Sequence, residues 1–234
     1  MRLTFGFLQC VAIVFVSTLP LVCQNTSSLS CWENKKAGTF QTRHAKTPVS
    51  KSSAGSAYAE VAAEASTDSV QSQFCKNKAQ LFYAKDGTNY QMVFEKPGLD
   101  DQGVGMRLLG WSHSGVQLLL ELSTWGYDND AYVSKSALVL DSSNSQVREL
   151  PVDDAFQHFF GKDCEFDFSV VGWEPDDGVL LRVTKTQPTT HYQQTFCVEK
   201  PTVYAFNQKS GTISASKGST SSEGPSANAN PGPH

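Results

Sequence analysis

The chain has 234 residues with 19 Lys plus Arg against 23 Asp plus Glu, a formal charge of −4, and its charges are scattered. Without a basic stripe it does not read as a nucleic-acid or anionic-membrane binder. Once a leader and two polar flanks are set aside, the length suits about one domain.

Met1 to about Val22 carries an early Arg2, then the apolar run L-Q-C-V-A-I-V-F-V, then Pro20 and a polar change at Gln24. This layout predicts a signal peptide over 1–23, with no membrane span once it is removed. A retained anchor helix and lipidation at Cys23 are the alternatives, although Pro20-Leu21-Val22 fits a lipidation signal poorly. Residues 24–73 are rich in Ser, Thr, Ala and Lys and read as a flexible polar lead-in. Within it, Ala57 to Ala65 has the composition of a short helix. The sequon Asn25-Thr26-Ser27 would be used only in a eukaryotic secretory pathway.

Strand signals start at Phe74, and a β-repeat domain is predicted over 74–214. A-Q-L-F-Y-A, the turn K-D-G-T-N and Y-Q-M-V-F-E form a hairpin signal around Asp86-Gly87. R-L-L-G-W, the turn S-H-S-G and V-Q-L-L-L-E-L then give two strands, the second apolar enough to be buried on both faces. S-A-L-V-L-D and Q-V-R-E-L complete four strands. D-D-A-F-Q-H-F-F-G predicts a short helix capped by Asp153 or Asp154 and ended by Gly161, with Phe156, Phe159 and Phe160 on one face. A second set of four strands follows from Cys164: F-D-F-S-V-V-G-W, V-L-L-R-V-T, T-V-Y-A-F-N and G-T-I-S-A. Trp111 and Trp173 stand 62 residues apart, so the unit repeats, and Ala79 to Glu95 reads as the last half of an earlier copy. Residues 215–234, dominated by Ser, Gly, Pro and Asn, read as a disordered tail.

Cys31, Cys75, Cys164 and Cys197 are an even set in an exported chain and predict two disulfides. Three connectivities are open, with Cys31–Cys75 and Cys164–Cys197 preferred because each pair is local. No C-x-x-C supports a zinc or redox site. Gly110-Trp111-Ser112-His113-Ser114 lacks the second glycine of a nucleophile elbow, so Ser112 reads as a turn serine. The five histidines have no ligand spacing, and the acidic turns Asp128-Asn129-Asp130 and Glu174 with Asp176-Asp177 lack the rest of a calcium loop. No catalytic residue, metal or cofactor is therefore assigned. The aromatic and acidic loop of Trp125, Tyr127, Asp128, Asp130 and Tyr132 is the candidate contact site for a protein or glycan.

The pattern G-W-S-x-x-G-x-x-L-L followed by a strand ending in Asp and then V-R-E-L resembles the repeat of the TolB-like β-propellers. Trp111, Ser112 and Gly115 match the first copy, and Trp173, Pro175, Asp176 and Gly178 the second; His113, Ser114 and Glu174 depart from it. The resemblance implies an all-β fold of four-stranded, propeller-like blades, with a sandwich or barrel as the alternative. The resulting expectation is an extracytoplasmic, periplasmic or secreted, binding module without catalysis. A secreted hydrolase-like enzyme and a piece of a larger propeller are the competing readings.

Overall fold

The computed structural model describes residues 26–28, 43–65, 75–99, 102–126, 133–161, 164–186 and 195–216. They form three antiparallel sheets and one helix. The first sheet holds β2 (Arg43–Lys46), β3 (Ser50–Ser52), β4 (Gly55–Ala65), β5 (Cys75–Ala84) and β6 (Gln91–Pro97). The second runs β7 (Gln102–Trp111), β8 (Gln117–Gly126), β9 (Val133–Asp141) and β10 (Gln146–Glu149), and β1 (Thr26–Ser28) adds to its β7 edge. The third runs β11 (Asp167–Trp173), β12 (Val179–Thr184), β13 (Thr202–Asn207) and β14 (Thr212–Ala215). The fold is thus all-β, built of repeated up-and-down four-stranded units stacked like propeller blades.

Residues 43–65 correct the expected lead-in. The Ala57–Ala65 stretch is not a helix but most of β4, paired along its length with β5. Its helix-forming alanines obey a period of two: Ala57, Ala59 and Val61 are fully buried toward the second sheet, while Tyr58 faces away. Small side chains are needed there because Leu118, Leu120, Leu138 and Leu140 fill the space opposite. Tertiary packing overrides the local propensity. With β2 to β4 in front of it, the Ala79–Glu95 hairpin becomes the second half of a complete unit.

The second sheet is the middle layer, as its continuous apolar run predicts. Leu118, Leu120 and Leu122 pack toward the first sheet, whereas Leu119, Ala137 and Val139 pack toward the third. Both Gly-Trp pairs have one structural cause. The register of β7 on β8 slips between Leu108 and Gly110, and that of β11 on β12 between Val170 and Gly172. Gly110 sits at φ 127° in that bulge, a conformation that favours glycine.

The turns that join the third and fourth strands also recur. Asp86 accepts hydrogen bonds from the amides of Thr88 and Asn89, Asp141 from that of Ser143, and Asn207 from those of Lys209 and Ser210. The bonds from Asn89 and Thr88 lower the Asp86 carboxyl to a pKa of about 2.

Helix α1 (Val152–Phe160) links the second sheet to the third. Pro151 occupies its N-cap and no side chain caps it, so Asp153 and Asp154 lie in the first turn, not at the cap. Gly161 ends it as expected, its N–H donating to the Gln157 carbonyl. Phe156 is fully buried among Phe166, Phe168 and Tyr204, Phe160 packs partly against them, and Phe159 remains 47 % exposed.

Candidate functional site

Of the predicted contact loop only Trp125 is described; Tyr127, Asp128, Asp130 and Tyr132 lie outside the described residues. Trp125 belongs to a strand and not to a loop. It lies near the end of β8, opposite Gly103 on one side and Val133 on the other. A Cβ on Gly103 would stand 2.2 Å from the Trp125 indole, so the ring lies directly over that glycine. Gly103→Ala is therefore expected to destabilise the protein by about 1–3 kcal/mol, the range for overpacking. Urea unfolding measures it, and the cost should vanish in a Trp125→Ala background, where the clash has no partner.

Cys164 and Cys197 are bonded, with their Cα atoms 5.0 Å apart, as the local pairing predicts. The partner of the other predicted pair, Cys31, lies outside the described residues. The bond sits beside a short parallel backbone bridge between Glu165 and Phe196. Such cross-links form and persist in oxidising compartments. Among the described residues no helix is long and apolar enough to cross a membrane.

Ser112 is architectural. Its hydroxyl is within hydrogen-bond distance of Ser114 Oγ at 2.9 Å and accepts from the Gln117 amide at 3.2 Å, and the residue is buried. The backbones of Ser112 and Gln117 close the same turn, the Ser112 N–H donating to the Gln117 carbonyl at 2.7 Å.

What the chain does assemble is a groove of mixed polar and apolar lining at the turn ends of the second and third sheets, of about 1160 Å³. Gln117, Arg148, Glu174, Asp177, Gln208 and Lys209 are among its lining residues. Gln208 ties three elements together. Its Nε2 donates to the Asp177 carbonyl at 2.9 Å and to Gln117 Oε1 at 3.3 Å, and its Oε1 accepts from Arg148 Nη2. The acidic turn itself is closed by its own backbone, Glu174 N–H to the Gly178 carbonyl at 2.7 Å and Asp177 N–H to the Glu174 carbonyl at 3.1 Å. Asp177 adopts φ 62°, a left-handed conformation for which aspartate is among the better-suited side chains. Its Oδ1 is buried and has no hydrogen-bond partner among the described residues.

Comparison with known proteins adds no relative. No known family, no curated protein and no solved structure matches the chain. The site must be read from its own chemistry. Among the described residues no three His, Cys, Asp or Glu side chains gather as a metal centre would require, and Glu174, Asp176 and Asp177 stand in the groove wall. Sequence reasoning gave Glu174, Asp176 and Asp177 as a polar turn but missed Arg148, Gln117 and Gln208. They lie 31 to 91 residues from their partners and meet only through blade stacking.

Proposed function

We propose that the chain is an extracytoplasmic binding module, periplasmic or secreted, of the TolB-like propeller-repeat kind, and that its turn groove holds a segment of another protein. The observation that carries this reading is the groove itself. The Gln208 network holds its residues in place, and its walls carry both Arg148 and Lys209 and the acids of the 174–177 turn. A peptide supplies backbone N–H groups and side-chain charges of both signs, which suit such a surface. No aromatic ring lines the groove among the described residues, so a sugar would find no apolar face to stack upon. The Gly-Trp bulges and the repeated turn are the features that support the family likeness, and the leader and the disulfide support export.

The test is a pull-down from the extracytoplasmic fraction with the native protein and with an Arg148→Glu, Lys209→Glu variant. A partner retained by the first and lost by the second, with unchanged unfolding midpoints, supports the reading. A partner held equally by both places the contact surface elsewhere and sinks it, and retention of free glycan in place of protein does the same.

A further inference from the structure

The internal junctions of the stack are made from a fixed set of strand positions, and the same positions recur on the two outermost faces. On the face of each sheet that looks back along the chain, Leu118 pairs with Leu140 in the second sheet and Val179 with Phe206 in the third. All four are buried against the preceding sheet. The equivalent pair in the first sheet is Tyr58 with Phe82, and no preceding sheet exists among the described residues. These two rings stack on each other at 4.9 Å, only half-buried, with Tyr90 at 5.0 Å and Met92, opposite Phe82, 51 % exposed.

The forward faces tell the same story from the other end. Ala59 with Leu81 and Leu119 with Val139 are fully buried pairs, each covered by the next sheet. Their counterpart in the third sheet is Leu180 with Ala205, where Ala205 is buried, Leu180 only half-buried and the neighbouring bulge residue Val171 41 % exposed. The two outermost faces also carry charges at junction positions. Glu121, two residues beyond Leu119, reaches forward to the third sheet; its register equivalent is the exposed Arg182, each lying opposite the corresponding β7 or β11 residue, Arg107 or Ser169. On the backward face, the position of the apolar Leu120 and Leu181 is taken in the first sheet by the acid Glu60. Burial pushes the Glu60 carboxyl up, but hydrogen bonds from Lys46 and His44 hold it below its ordinary value, and those two groups, Lys46 at 3.1 Å, already pair with its charge within the first sheet.

We propose that the forward face of the third sheet packs onto the backward face of the first sheet of a second copy of this chain. The same contact made in return closes the pair into a ring. Val171 and Leu180 then meet the Tyr58, Phe82 and Met92 surface. Two copies of three sheets bring six into the ring, within the about four to eight of closed propellers. The partner is thus the surface for which every internal junction is already a template, and a closed two-fold arrangement leaves neither face open.

Sedimentation velocity and light scattering on the disulfide-intact protein at micromolar concentration test this. A particle of twice the monomer mass is expected. Val171→Asp and Met92→Asp, both at exposed positions, should each yield a folded monomer whose unfolding midpoint no longer rises with protein concentration, and an equimolar mixture of the two should recover a one-to-one dimer through its single intact junction. A monomer at all concentrations overturns the proposal. So does a dimer that survives either aspartate variant, which would mean like faces pairing, and so do open-ended assemblies, which would mean that the ring does not close.

Discussion

Replacing Glu121 with alanine is expected to lower the stability by about 3 kcal/mol. The reason is the free edge of β11. In a strand the N–H and C=O of one residue point to the same side, and those of Val170 point away from the body of the third sheet. Glu121 Oε2 accepts from the Val170 N–H at 2.7 Å, and Arg107 Nη2 donates to its C=O at 2.8 Å. Arg107 and Glu121 pair with each other at 3.0 Å and lie directly opposite in the β7–β8 ladder. Two side chains of one sheet thus act as the missing neighbour strand for the next. Losing the carboxylate leaves a backbone donor without its acceptor, a cost of about 1–3 kcal/mol, and a cation without its partner. The range for breaking a buried pair is about 3–5 kcal/mol. Since the Arg107 side chain is 32 % exposed, water tempers its loss and the lower end applies. Arg107→Met with Glu121→Leu removes both charges, yet Val170 stays unsatisfied, so that double variant should remain below the native protein by about 2 kcal/mol. Urea unfolding of the set measures these values. A Glu121→Ala protein within about 0.5 kcal/mol of native would mean that the clasp contributes nothing.

That clasp shows where the sequence is legible and where it is not. The G-W pairs, the run from Val116 to Leu122 and the turns at Asp86, Asp141 and Asn207 declare strands and their repeat locally, because bulge, two-sided burial and turn chemistry each demand particular residue types. The 43–65 segment hides its strands because the partners of its alanines lie on another sheet; smallness there answers leucines some 60 residues away. Glu121 reads as a polar interruption of an apolar run until Val170 is set beside it. The groove is hidden for the same reason, since Gln117, Arg148, Asp177 and Gln208 stand on four separate elements. Trp125 reads as a loop residue from its polar neighbours, whereas the signal that places it in β8 is the glycine opposite, Gly103.

The other large effect concerns the cross-link. Cys164 precedes β11 and Cys197 precedes β13, so the bond encloses a separation of 33 residues that includes β11 and β12. On the chain-entropy account, closing a loop of that length stabilises by about 3–4 kcal/mol, mainly by restricting the unfolded chain. Hydrogen bonds from Glu165 N–H to the Thr195 carbonyl at 2.8 Å and from Cys197 N–H to the Glu165 carbonyl at 3.0 Å hold the same two segments together. These bonds do not depend on the sulfurs, so the fold should form in a Cys164→Ser, Cys197→Ser protein but with its unfolding free energy, read from urea titration, lower by that amount. The third sheet should feel it most. It supplies the 174–177 wall of the groove, and hydrogen exchange in β11 and β12 should rise before that of the middle layer, whose strands are covered on both faces. A double-serine protein whose stability falls by less than about 1 kcal/mol would show that the unfolded chain is already compact around this loop and the bond restrains little. Uniform loss of protection across all three sheets would instead show that the stack unfolds as one unit, with the disulfide stabilising the whole.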